Sequence, residues 1–330
     1  MLTADLRHAL LAATRDAGYP APGPDPVLRP GGAPGRYTSA LPLRIDPGNP
    51  EPVAHAIAAN LAGHPWIGAA HPTPRGYLEI TVTGDALDRL AVRITEAGPQ
   101  CARSDALSAT EVAPPPARRD GVWADAHHQI LIHVTAALAV AAGAVVTFSV
   151  PEDLDPEPPV PPDPLVREAI AFAGPDAIRY TLARIPPESS ASPDPAVAAR
   201  HTEANPAYAV RYAYSCAAST LRWAADLGLS RGEAAEFRPG SLAHPRERAL
   251  LDALSWLPEQ VARAARRGRP HEFTAFLEEL AETYQVCRVA CPAWPEREPV
   301  VRARLWLAGA AAAALAAGLD LLGVGAPARL

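Results

Sequence analysis

The sequence predicts an α+β domain over residues 1–112 and an all-α helical bundle over 164–330, joined through a proline-rich linker. Three observations predict this division. Period-two hydrophobic alternation, the mark of a half-buried strand, is confined to the N-terminal half. Residues 151–164 then carry seven prolines and five acids. That composition cannot form a core and favours polyproline geometry, a semi-rigid spacer of ~40 Å at full extension. From Pro164 onward the apolar residues recur only at helical spacing.

The elements follow in order. Residues 2–16 place Leu2, Leu6, Leu10 and Leu11 near one face of an amphipathic helix, stopped by Gly18 and Pro20. After a Pro/Gly-rich loop, Tyr37, Leu41, Leu43 and Ile45 alternate, which predicts a strand over 36–45 despite Pro42. Asn49-Pro50 starts a helix through Leu61, with Val53, Ile57 and Leu61 four apart. A short strand at 66–70, a clear strand at 77–83 and a helix at 85–97 complete an αβαββα order. Pro114-Pro115-Pro116 marks a boundary, and residues 113–163 hold an apolar helix at 128–142, a strand at 144–150 and the linker. Helices are then expected at 164–172, 175–184, 205–227, 245–255, 257–267, 270–289 and 297–322, with Asn205 as the N-cap and Pro206 at the first helical position of the third. The apolar run 305–319 is short, alanine-dominated and closed by Asp320, so a buried core helix is expected rather than a membrane span.

Composition narrows the function classes. The 330 residues hold 48% hydrophobic and 20% charged side chains, as in a water-soluble globular protein. Every one of the 30 basic residues is arginine, and prolines number 38, as expected of a GC-rich genome. The net charge of −6 argues against a general nucleic-acid binder. Its distribution is uneven: residues 1–199 hold 14 Arg against 22 acids, whereas 200–330 hold 16 against 14, which permits RNA contact in the C-terminal half. Four cysteines without framework spacing point to a reducing, cytoplasmic setting. Charges interrupt the apolar stripe of the first helix, so it is a poor signal peptide.

Catalytic signatures are missing from the sequence. It has no G-x-x-x-x-G-K-[ST], no G-x-G-x-x-G after a strand and no G-x-S-x-G. Cys287 and Cys291 stand four apart, half a metal site, but no second Cys/His pair accompanies them; packed or free thiols are expected, with no metal and no cofactor. His127, His128 and His133 are expected at a helix cap or on the surface. On the 205–227 helix, Tyr208 and Tyr212 lie four apart with Arg211 beside them and Tyr214 behind. Exposed tyrosines with a nearby guanidinium stack unpaired bases and pair phosphates; the same spacing also serves helix packing. Arg263, Arg266, Arg267 and Arg269 form the densest basic cluster, either a phosphate site or the cations a helix C-terminus favours.

Here the motifs themselves carry a resemblance. Asn205-Pro206-Ala207-Tyr208-Ala209-Val210-Arg211-Tyr212-Ala213 resembles the N-P-x-Y-Y-V-Q-Y-A-H line that opens the anticodon-binding domain of arginyl-tRNA synthetases. The segments 176–180, 185–189, 284–289, 302–305 and 318–330 resemble further lines of that domain, so the likeness covers about 164–330. Gly35-Arg36-Tyr37-Thr38-Ser39, the helix at 50–62 and Arg75-Gly76-Tyr77-Leu78-Glu79-Ile80 are similar to the family's N-terminal domain, which contacts the tRNA D-loop corner. Glu79 stands where the family usually has Asn, and Ala209, Arg211 and Tyr214 where it has Tyr, Gln and His.

The resemblance implies an α+β domain joined to a bundle of the class I synthetase anticodon-binding (DALR) type. It implies an RNA face of Asn205, Tyr208, Arg211, Tyr212, Tyr284, Arg288, Arg304, Arg266 and Arg267, with Tyr37 and Tyr77 from the N-terminal domain. The family's H-x-G-H and its lysine-bearing signature are absent, and residues 113–163 are too few for its catalytic domain, of which 128–150 is read as a remnant. The expectation is therefore a non-catalytic paralogue, not an enzyme, that binds tRNA or another structured RNA as a cytoplasmic monomer with no membrane partner. A second reading is a protein-interaction module that has lost RNA binding and partners a synthetase or another protein. A third is arginine–tRNA ligase activity itself, assigned from homology alone.

Overall fold

The computed structural model describes residues 2–20, 28–108, 110–117, 120–148 and 163–330. Helix α1 (Leu2–Asp16) buries Leu2, Leu6 and Leu10. After β1 (Arg29–Pro30), the expected long strand divides into β2 (Arg36–Ser39) and a short helix α2 (Leu41–Ile45). Pro42 is the reason: it lacks the N–H a strand ladder needs but fits the first turn of a helix. Helix α3 (Pro50–Leu61), β3 (Ile67–Pro72), β4 (Leu78–Val82) and α4 (Gly84–Ala97) follow as anticipated. The four strands form one antiparallel sheet in the order β1-β2-β4-β3. Between β3 and β4 the chain turns at Gly76 with φ 74°, where a Cβ would overlap the ring of Pro50, so only glycine fits.

Strand β5 (Glu111–Val112) pairs in parallel with β6 (Val145–Val146), and α5 (Ala124–Ala141) connects them. The anticipated strand at 144–150 is described only to residue 148, and the proline- and acid-rich segment 151–162 lies outside the described residues. The bundle comprises α6 (Pro164–Ala173), α7 (Pro175–Ala183), α8 (Pro195–Ala198), α9 (Pro206–Asp226), α10 (Pro245–Ser255), α11 (Leu257–Arg267), α12 (Pro270–Ala290) and α13 (Glu298–Leu321). Only the four-residue α8 was unanticipated. Helix α13 is long and apolar enough to cross a membrane by composition, yet 67% of its most apolar stretch is buried inside the protein. Its alanines and glycines let α9 and α4 pack closely on either side. Helix α5 joins this assembly by packing on α7 and α11.

The two halves share one apolar core. Tyr37 of β2 packs on Trp256 at 5.5 Å between ring centroids, and its hydroxyl meets Ser255 Oγ at 3.1 Å. The Gly35 N–H donates to Asp252 Oδ1 at 3.0 Å, and Thr95 Oγ1 of α4 donates to the Trp306 carbonyl of α13 at 3.1 Å. These ties hold the N-terminal sheet and α4 against α10 and α13.

Candidate nucleic-acid interface

The site grows from the start of α9. Asn205 is its N-cap: Oδ1 accepts from the Ala207 N–H at 3.1 Å, while Nδ2 donates to the Ala198 and Arg200 carbonyls, each at 2.8 Å. This cap ties the preceding loop to the helix and sets where the first turn points. Ala207, Val210, Ala213, Ala217 and Ala224 form the buried face of α9, small enough for close packing on α13 and α12. The outward face then falls to Tyr208 and Tyr212, both half-buried.

Those two rings are stacked nearly parallel, 5.6 Å between centroids with 9° between their planes. His201, from the loop before the helix, extends the stack over Tyr208 at 5.5 Å and 12°. The row is thus His201–Tyr208–Tyr212, with His201 exposed and both tyrosines half-buried. The neighbouring Cys216 thiol, through hydrogen bonding and charge repulsion, and some burial push the Tyr212 phenol up from its usual range. Gln285 Nε2 holds the thiol in turn at 3.6 Å.

Tyr212 divides two grooves of opposite character. On one side a groove of about 380 Å³ is lined by Tyr208, Tyr212, Ser215, Ser219, Arg222, Trp223, Arg288, Arg329 and Leu330. Arg222 donates to Ser219 Oγ and to the Ala328 carbonyl, and Arg288 donates to Gln285 Oε1, all neutral acceptors. Among the described residues neither guanidinium has a carboxylate partner, so both can face an anion. On the other side a groove of about 340 Å³ is lined by Glu203, Glu278 and Glu282. A phosphate backbone is attracted to the first groove and repelled from the second.

The structure separates the residues singled out from sequence. Tyr208, Tyr212 and Arg288 come together at the groove, on the footing Asn205 provides. Arg211 does not join them: it turns to Asp176 at 3.6 Å, beside the C-terminal segment. Tyr284 is a correction, being buried under the groove, where burial raises its phenol above the usual range. Arg304 is another, since it is drawn inward to the buried Glu247 at 2.7 Å and to the Pro292 carbonyl. Tyr37 is a third, with its ring enclosed between sheet and bundle. Tyr77 is half-buried at the entrance of β4, and Glu79 faces Arg36 at 3.7 Å, so its charge is partly offset.

The basic cluster at the end of α11 is partly paired, its arginines sharing a few carboxylates. Arg263 and Arg267 reach Glu272 at 3.1 and 2.7 Å, Arg269 lies near Glu188 and Glu272, and Arg266 acts on Glu259. His127 was expected at a cap or on the surface; instead it is buried, with Nε2 at 3.1 Å from the Ile185 carbonyl, and burial lowers its pKa. Cys287 and Cys291 are both buried, and burial pushes the Cys287 thiol up to about 12. His201, Arg222, Trp223 and Arg329 were missed. Trp223 had a signal, since it lies eleven residues after Tyr212 and so on the same helix face. His201 had none, because only the loop fold brings it to the stack.

Comparison with known proteins converges on the same region. Residues 210–330 match the family model of the DALR anticodon binding domain. Over 169 residues, half of this chain, the sequence is 39% identical to an arginine–tRNA ligase of Paenarthrobacter aurescens, and 38% identical over 174 residues to that of Micrococcus luteus. These alignments span 30% and 31% of the two relatives. Arginyl-tRNA synthetase of Thermus thermophilus shares the fold over 100% of both chains with a TM-score of 0.67 at 15% identity. The expectation that the chain is not an enzyme is thereby corrected. Its curated relatives are named for a ligase activity, and the synthetase fold match extends over the whole chain rather than the bundle alone.

Proposed function

We propose that the α9 stack and its arginine groove hold the unpaired bases of a tRNA anticodon loop, and that the chain serves tRNA arginylation by recognising tRNA. The observation that carries this reading is the parallel His201–Tyr208–Tyr212 stack beside two arginines that have no carboxylate partner among the described residues. Flat aromatic faces take bases of any identity, and guanidinium groups take the phosphates between them. The DALR match and the relatives named arginine–tRNA ligase support a tRNA as that RNA, and we take tRNA for arginine as the one to test. In this reading residues 164–330 form the RNA-binding part, and residues 1–112 brace it and offer Tyr77 toward the body of the RNA.

Filter binding of tRNA-Arg at two salt concentrations tests it. Affinity should fall with salt at a slope of about −0.7 per single-strand phosphate contact. Tyr208→Ala should weaken binding by about 1–3 kcal/mol, while Tyr208→Phe, which keeps the ring, should bind nearly as the native chain. Salt-independent binding, or none, would overturn the reading.

A further inference from the structure

The groove has a far end that this function does not yet use. Trp223 lies on the same face of α9 as the stacked tyrosines: the eleven residues from Tyr212 are three turns plus about 20°, and the fifteen from Tyr208 cover roughly 22 Å of helix axis. The residue is 58% exposed, unusual for a tryptophan on a helix whose other face is packed. It borders the same groove as Tyr208 and Tyr212, with Arg222 beside it in sequence and Arg288 and Arg329 along the wall. Ser215 and Ser219, small and polar, floor the stretch between the aromatic ends. An aromatic platform toward each end, with small polar side chains and cations lining the groove between them, suits a single strand. We propose that Trp223 is a second base-stacking platform, so that α9 grips a run of unpaired nucleotides at both ends rather than one base at its N-terminal end. This rests on the RNA-binding reading above.

The separation sets the length of RNA. At about 3.4 Å per stacked nucleotide, 22 Å spans roughly six nucleotides, and fewer if the strand is splayed. An oligonucleotide of two nucleotides reaches only one platform; one of seven reaches both.

The test uses the full chain, the Trp223→Ala and Trp223→Phe variants, and single-stranded RNA oligonucleotides of two and seven nucleotides with the anticodon-loop sequence of tRNA-Arg. Trp223→Ala should weaken the seven-nucleotide RNA roughly 5- to 100-fold and leave the two-nucleotide RNA within about twofold, while Trp223→Phe retains most of the affinity. Stacking should also quench native tryptophan fluorescence with the longer RNA, and the quench should shrink in Trp223→Phe. Native binding with an unchanged Trp223→Ala affinity for the longer RNA would overturn this proposal and leave the parent reading intact, as would equal losses for both lengths. Absence of binding by the native chain would overturn both. Because Trp223 is exposed, its variants are expected to fold, and matching thermal melts verify this.

Discussion

Arg304 shows how a single neighbour decides what a charged residue does. Its Nε sits 2.7 Å from Oε1 of Glu247, a side chain only 1% exposed, whose other oxygen accepts the His244 N–H at 2.9 Å as part of the α10 cap. Removing the guanidinium would strand a carboxylate in the bundle, which costs about 3–5 kcal/mol. Arg304→Ala should therefore lower the urea midpoint sharply. Wherever it remains folded, its RNA binding should keep the native salt slope, because the residue contributes no phosphate contact. A variant that loses stability and one unit of slope together would put Arg304 back on the RNA face. Asp105 accepts hydrogen bonds from Arg7 and His8. Burial alone would raise its pKa, but those two partners outweigh it and lower the carboxyl to about 2. A lowered folded pKa stabilises the fold fully above the ordinary carboxylate value and is lost as pH falls through the folded one. Urea midpoints of the native chain should thus drop between about pH 4 and 2 more steeply than those of Asp105→Asn, and parallel curves would contradict the pairing.

Helix α9 is the element on which recognition depends, and its cap is the place to test that. Asn205→Ala removes the acceptor for the Ala207 N–H and both donors to the preceding loop, for about 1–2 kcal/mol of stability. Asn205→Asp keeps the acceptor and loses the donors. It should hold helix stability better than alanine, yet weaken RNA binding, since the loop carrying His201 is then no longer tied to the cap. Equal RNA affinity for native and Asn205→Asp would show that the His201 end of the stack is dispensable. At this scale the sequence was highly legible. Helices α6, α7 and α9 to α13 carry proline in the first turn and a three- to four-residue apolar period, which local sequence states directly. The misreading over residues 36–45 arose because alternation at Tyr37, Leu41, Leu43 and Ile45 also fits a short helix once Pro42 ends the ladder. The site was only half legible: Tyr208 and Tyr212 announce themselves by spacing. The inward turn of Arg304 and the burial of Tyr284 and Tyr37 depend on residues far away in sequence, such as Glu247 and Ser255.

For the whole molecule, the question is whether the sheet and the bundle behave as one body. Sequence implied two parts either side of a spacer, but α4 lies along α13 and α10, and the contacts between the halves include a charge pair that cannot be parted cheaply. Asp88 of α4 is completely buried, Oδ2 accepts the Gly240 N–H at 2.6 Å, and Oδ1 faces Arg248 of α10 at 2.6 Å. Burial raises its pKa even so, with the Gly240 hydrogen bond and Arg248 opposing the rise. Arg248→Ala removes the compensating charge and should destabilise the fold by about 3–5 kcal/mol. Because the pair bridges the halves, calorimetry should show one heat-absorption peak moved down as a whole. Two resolved peaks, with the bundle unmoved, would mean that the halves unfold independently. The sign with pH follows from the raised pKa: protonating Asp88 relieves the unpaired charge, so the deficit of Arg248→Ala should shrink as pH falls through the carboxyl's folded pKa. An Asp88→Asn/Arg248→Ala pair, which never carries that charge, should show no such recovery.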